Sequence, residues 1–326
     1  MAISMSVKLL STKHLRSLIP RQITSAQQTS PSTSFFLRRL SDSSDSDFAT
    51  GVKYFVKASR THPPDAPSSD AKIATRTFIT RTIIHWTNAA ERGHTKAQFA
   101  LGNLYLKGHE NVKKNEQLGK TFLQTAADAG HEESCHKIGT IFLHGSKEIK
   151  QNCSLAVEYW TKAADRGHMV ARYDLGRLYA EGVHVTQNFA KSFDLFEKAA
   201  KQGMLEAHHA LGTAYTRGQG TDHDRCRAFR HFKKAADAGL ILAQFDLGAC
   251  YSLGYGVEKN FSKAAECFFL AAEGGNPQAQ LCLGQFFEKG QAELPKDLAK
   301  ATHYYQLAAN QGLKEAKSAL KRLPVV

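Results

Sequence analysis

No run of this sequence approaches the ~20 consecutive apolar residues that a membrane-spanning helix needs, so no helical span is expected. Cys-x-x-Cys is also missing. The six cysteines, Cys135, Cys153, Cys226, Cys250, Cys267 and Cys282, have no zinc-type spacing. Fifteen histidines are present, yet no His-x-x-x-His pair encloses a carboxylate, and His208 and His209 are chain neighbours that face different sides of a helix. No Ser/His/Asp set can be placed. The glycine-rich Gly218-Gln219-Gly220 and Gly254-Tyr255-Gly256 follow no strand, which removes a phosphate cradle. The expectation is therefore a chain with no catalytic residues, no cofactor and no metal.

Acidic residues are absent from 1–41. That segment carries Lys8, Lys13, Arg16, Arg21, Arg38 and Arg39 among many Ser and Thr, and so supplies six of the formal +13 charges. Val7, Leu10, Leu15 and Leu18 alternate with Lys8, Lys13 and Arg16 as in a short amphipathic helix. This composition reads as an organelle transit peptide, mitochondrial in preference to plastid because of its arginines. Arg38-Arg39-Leu40-Ser41 is the expected matrix-processing site. Residues 42–72, with Asp42, Asp45, Asp47 and a Pro/Ser-rich end, read as a disordered linker. Val52-Lys-Tyr-Phe-Val56 is its one apolar stretch; it could dock on the first exposed helix or begin the mature domain. Beyond the linker, charges of both signs are interspersed without a dense basic run, so nucleic-acid binding lacks its electrostatic footprint.

What the chain has is repetition. A small residue, a Leu-Gly or Ile-Gly pair, an aromatic three residues on, Ala-Ala and a closing Gly return at steps of 36 or 37 residues. The Leu-Gly glycines are Gly102, Gly139, Gly176, Gly212, Gly248 and Gly284. Such a period means one supersecondary unit stacked many times. In the third copy, Ala171, Leu175, Leu178 and Tyr179 share one helical face, a loop runs from Val183 to Asn188, and a second helix extends from about Phe189 to Lys201. Gly inside a helix costs about 1 kcal/mol against Ala. The recurrence of Gly176 and its equivalents therefore implies close helix–helix approach. Three residues before each Ala-Ala pair stands a large side chain: Trp86, Leu123, Trp160, Phe196, Phe232, Phe268 or Tyr305. These positions read as core.

The pattern Ala-x-x-x-Leu-Gly-x-x-Tyr…Gly-x-Gly-Val…Asn-x-x-Lys-Ala…Phe-x-x-Ala-Ala-x-x-Gly resembles the Sel-one-like repeat (SLR) family, relatives of the tetratricopeptide repeats. Residues 243–275 match it best, through Ala243, Leu247, Gly248, Tyr251, Gly254, Gly256, Val257, Asn260, Lys263, Ala264, Phe268, Ala271, Ala272 and Gly275. The resemblance implies an all-α fold, a right-handed α-solenoid of stacked helix-turn-helix repeats with a concave binding face. The solenoid is expected over 73–323, as a half repeat at 73–93 followed by six repeats. Ala316 to Leu323 reads as a lone first helix that caps the end. Some members of the family staple each repeat with a disulfide at one recurring position. Here the cysteines fall at different positions, and free buried thiols are expected, with Cys250–Cys267 the one conceivable bridge.

By the resemblance, three positions per repeat face the groove. The first column reads Phe99, His136, Tyr173, His209, Phe245 and Leu281. It is either an aromatic ladder for an extended or helical peptide or half-buried packing between neighbouring first helices. The second contains Asn103, Thr140, Arg177, Thr213, Ala249 and Gln285; the third contains Lys107, His144, Glu181, Arg217, Leu253 and Lys289. Asn103, Arg177 and Arg217 have no core role and are the stronger contact candidates. The expected function is a mitochondrial adaptor, in the matrix, that binds a protein or peptide in the groove and serves complex assembly or stress signalling. The alternative is an organellar RNA-associated repeat protein, although the variable columns show no base-reading code.

Overall fold

The computed structural model describes residues 40–60, 69–109 and 112–323. The transit segment lies outside them, except Leu40 and Ser41, which open the first helix. Among the described residues every regular element is a helix. The chain divides into two units, Met1–His168 and Met169–Val326.

The first unit contains α1 (Leu40–Arg60), α2 (Ser69–Glu91), α3 (Thr95–Lys107), α4 (Glu116–Asp128), α5 (Glu132–His144) and α6 (Cys153–Asp165). The second contains α7 (Met169–Glu181), α8 (Phe189–Lys201), α9 (Leu205–Arg217), α10 (Arg225–Asp237), α11 (Ile241–Leu253), α12 (Phe261–Glu273), α13 (Pro277–Lys289), α14 (Leu298–Asn310) and α15 (Lys314–Arg322). Within each unit, consecutive helices pair as hairpins, and each second helix also packs on the next first helix. The protein is an all-α solenoid of helical repeats, as the repeat period requires.

One contact builds each hairpin. A Cβ placed on Gly176, Gly212, Gly248 or Gly284 would meet the ring of Phe196, Phe232, Phe268 or Tyr305, respectively. In the first unit the same holds for Gly102 under Leu123 and Gly139 under Trp160. The glycine column and the large-residue column are thus two halves of one contact, and the missing side chain lets the ring lie on the helix backbone. Those large residues are buried, with Tyr305 and Leu123 at 0% exposure.

A second device closes the loop between the two helices. Asn115 and Asn152 cap α4 and α6; Asn188, Asp224, Asn260 and Asp297 cap α8, α10, α12 and α14. Each side-chain oxygen accepts from a backbone N–H three residues on, the usual N-cap bond. The backbone N–H of the same residue donates to the carbonyl of the aromatic in the preceding helix, as from Asn188 to Tyr179 at 2.8 Å and from Asn260 to Tyr251 at 2.9 Å. At the other end of each hairpin the chain reverses through a left-handed glycine. Gly203 has φ +96°, and the Met204 N–H reaches back to the Ala199 carbonyl.

The start of the solenoid differs from the sequence expectation. Residues 42–60 are part of helix α1, where a disordered linker was expected, and α1 pairs with α2 as a complete hairpin in place of a half repeat. Gly51 takes the role of the Leu-Gly glycine, since a Cβ there would strike the indole of Trp86. Phe55 and Phe48 cover the same indole, at ring-centroid distances of 5.4 and 6.2 Å. Two of the aspartates that suggested a linker, Asp45 and Asp47, are bonded to basic side chains. Asp47 bonds His85 Nδ1 at 3.1 Å and Arg92 at 2.6 Å, and Asp45 lies 3.0 Å from His94 Nε2. Polar composition misled because His85 on α2, Arg92 just beyond it and His94 at the start of α3 take up these carboxylates.

Candidate protein-binding face

The candidate residues divide between the units. Phe99 and Asn103 stand on α3 and His136 on α5 in the first; Tyr173 and Arg177 on α7, His209 and Arg217 on α9 and Phe245 on α11 in the second.

The first column is half-buried in both units, and its rings lie against the hairpin core. His136 stacks on Trp160 at 5.7 Å and on His168 at 4.8 Å. Tyr173 tilts over Phe196, His209 over Phe232 and Phe245 over Phe268, at 5.7, 5.7 and 5.8 Å. Phe99 packs on His131 at 5.1 Å, and Leu281 is buried. Each of these rings therefore packs against a neighbouring ring while remaining only half-buried. The packing reading of this column is observed in both units, and its half-buried members keep some exposure.

Electrostatics separate the remaining candidates. Arg177 donates to Glu181 one turn along α7, at 3.1 Å, and this bond raises its pKa. Burial raises the Tyr173 phenol pKa; Arg177 opposes that shift, while Glu206, Asp174 and Glu181 add to it. His209 Nε2 lies 2.6 Å from Asp246 Oδ2, which ties α9 to α11. Arg217 is exposed and makes no ion pair among the described residues. Asn103 is half-buried, and its Oδ1 has no hydrogen-bond partner among the described residues. Asp246 escaped sequence reasoning because it lies between columns, two residues before Gly248, where the other repeats place Ala100, Lys137, Asp174, Ala210 and Cys282.

His208 and His209 do face different sides: His208 is buried and shares a 3.0 Å Nδ1–Nδ1 contact with His231 of α10. All six cysteines are free, including Cys250 and Cys267. Among the described residues no three His, Cys, Asp or Glu side chains converge as a metal site, and no helix is long and apolar enough to cross a membrane.

Stacked hairpins with a half-buried aromatic column and variable polar neighbours define a helical-repeat protein of the protein-interaction class. The chain belongs to the Sel1 repeat family, whose model matches residues 95–131, 132–168, 170–204, 205–240, 241–276 and 277–313. Comparison with curated proteins gives no match. Among solved structures, it is similar to c5321, a protective antigen of uropathogenic Escherichia coli with an SLR fold, at 26% identity and a TM-score of 0.73. That alignment covers 87% of this chain and 57% of the antigen, so the chain spans little more than half its length. It is also similar to a Sel1 repeat protein from Oxalobacter formigenes, at 25% identity and a TM-score of 0.65, covering 80% of this chain and 96% of that one.

Proposed function

We propose that this protein is a mitochondrial adaptor that holds a protein partner against the first helices of its repeats, in the service of complex assembly or stress signalling. The observation that carries the binding-face reading is the pairing of half-buried aromatics with exposed arginine on α7, α9 and α11. Tyr173 and Phe245 are half-buried, while Arg217 is exposed and unpaired among the described residues. Interface energy concentrates in aromatic and arginine anchors of this kind. The organelle rests on the acid-free, arginine-bearing composition of 1–41.

The test is charge reversal. The pair Arg177→Glu and Arg217→Glu releases the partner that co-purifies from mitochondria and leaves helical content and melting temperature nearly unchanged. Lys198→Glu and Lys201→Glu on second helix α8 leave the complex intact; their ion pairs are exposed and contribute little to stability. Equal loss from both pairs would point to general electrostatics, and RNA recovered with the protein would then replace the reading. A reporter fused to residues 1–41 that stays in the cytosol would overturn the organelle.

A further inference from the structure

The positions six and three before the Leu-Gly glycine, and one and five after it, share one face of each first helix at spacings i, i+3, i+7 and i+11. On α7 that face reads Val170, Tyr173, Arg177, Glu181; on α9 it reads Glu206, His209, Thr213, Arg217; on α13 it reads Gln278, Leu281, Gln285, Lys289. On α11 it reads Leu242, Phe245, Ala249, Leu253, with no polar member. Leu242 is 55% exposed and Leu253 76%, the highest value for a large hydrophobic among the described residues. Equivalent sites carry Lys289, Arg217 and Glu181, so the repeat architecture does not require an apolar residue there. Leu242 and Leu253 lie in line with the half-buried Phe245 and Ala249, and apolar side chains grouped on one face are the kind of surface that interaction sites use.

Its flanks are charged. Arg217 on α9 and Lys289 on α13 hold, in the repeats before and after, the position that Leu253 holds on α11. On the α9 side the register is fixed by the His209–Asp246 bond and by Tyr255, just beyond α11, whose hydroxyl donates to the Thr216 carbonyl at 3.4 Å; on the α13 side it follows from the repeat period. Neither Arg217 nor Lys289 forms an ion pair among the described residues, whereas Arg177 is neutralised by Glu181.

We infer that α11 is the anchor of the binding face and that its occupant is an amphipathic helix of a partner protein, with an apolar stripe on α11 and carboxylates beside the residue that meets Leu253. The inference rests on the adaptor reading above and specifies its partner. An apolar row parallel to a helix axis suits a helix with anchors at i, i+3/i+4 and i+7. The two unpaired cations select acid at that end and reject base.

Two labelled helical peptides of about four turns test this against the full-length chain. They share one leucine stripe and differ only in two glutamates or two lysines beside the last leucine. The glutamate peptide binds more tightly by fluorescence polarisation. Leu242→Asp and Leu253→Asp each weaken it about tenfold or more, with unchanged circular dichroism because both side chains are exposed. Joint Arg217→Glu and Lys289→Glu reverses the preference toward the lysine peptide. Absence of binding by both peptides, binding indifferent to Leu242 and Leu253, or binding without charge preference would each overturn the inference. So would concentration-dependent self-association abolished by Leu253→Asp, which would make a second copy the occupant. If the co-purified partner is lost with Arg177 and Arg217 reversed but retained with Leu253→Asp, the adaptor reading survives and the α11 inference fails.

Discussion

The indole N–H of Trp160 donates to the backbone carbonyl of His136 at 2.9 Å, across Gly139. That carbonyl sits one turn before Gly139 on α5, so one side chain both fills the hairpin interface and hydrogen-bonds the opposing helix. Trp160→Ala removes both the packing and the bond, while the His136 carbonyl keeps the Thr140 hydroxyl as a donor. The expected loss is about 3–5 kcal/mol, read by urea unfolding; a change below about 1 kcal/mol would contradict the assigned contact.

Gly212→Ala sets two effects against each other. Helix propensity gains about 1 kcal/mol. The new Cβ would stand 2.5 and 2.6 Å from Phe232 ring carbons, however, and overpacking of this kind costs about 1–3 kcal/mol. The ring is enclosed, so strain wins and the melting temperature falls. A rise would mean that the hairpin opens without cost.

Asn188→Ala deletes the side-chain acceptor for the Lys191 N–H at the start of α8. The expected loss is about 1 kcal/mol. Asn188→Asp keeps the acceptor and places a negative charge at a helix N-terminus, so stability is retained or rises slightly. Similar losses from both variants would show that the cap bond contributes nothing.

The pair of His208 and His231 makes stability depend on pH. Burial pushes the His208 pKa down to about 4, with Lys234 and His231 adding to the shift, and burial also lowers that of His231. Tyr215 stacks on His231 at 5.6 Å. In the unfolded chain these imidazoles titrate near 6.5. Between about pH 6.5 and 4 the unfolded state binds protons that the folded state refuses. Stability is therefore full above the unfolded value, falls as pH drops through this window and levels off below it. Urea midpoints measured across the window should fall less steeply in His208→Leu than in the wild type. Parallel slopes would contradict this account.

Burial also orders thiol reactivity. The Cys250 pKa is pushed up to about 12 and that of Cys267 to about 11, mainly by burial. Cys226 is exposed. Native-state alkylation followed by mass spectrometry should label Cys226 first and leave Cys250 unlabelled until the protein is denatured. Early labelling of Cys250 would show that α11 and α12 separate readily.

The sequence by itself determined the repeat. Gly176 and Phe196 lie 20 residues apart in one hairpin, so each copy encodes its own central contact and the period displays it. The bounds of α8, Phe189–Lys201, followed from the same local rules. Asn260 belonged to the pattern, but its role as a cap tied to the Tyr251 carbonyl required coordinates. Helix α1 was hidden because Gly51 follows Thr50, without the Leu-Gly phrase, and because Asp45 and Asp47 look like solvent-facing linker until His94, His85 and Arg92 are seen to receive them. The exposure of Leu242 was equally hidden, whereas Leu253 already stood in a groove-facing column. An apolar side chain on a first helix is buried or bare according to what the neighbouring repeats place beside it, and only tertiary structure brings those residues together.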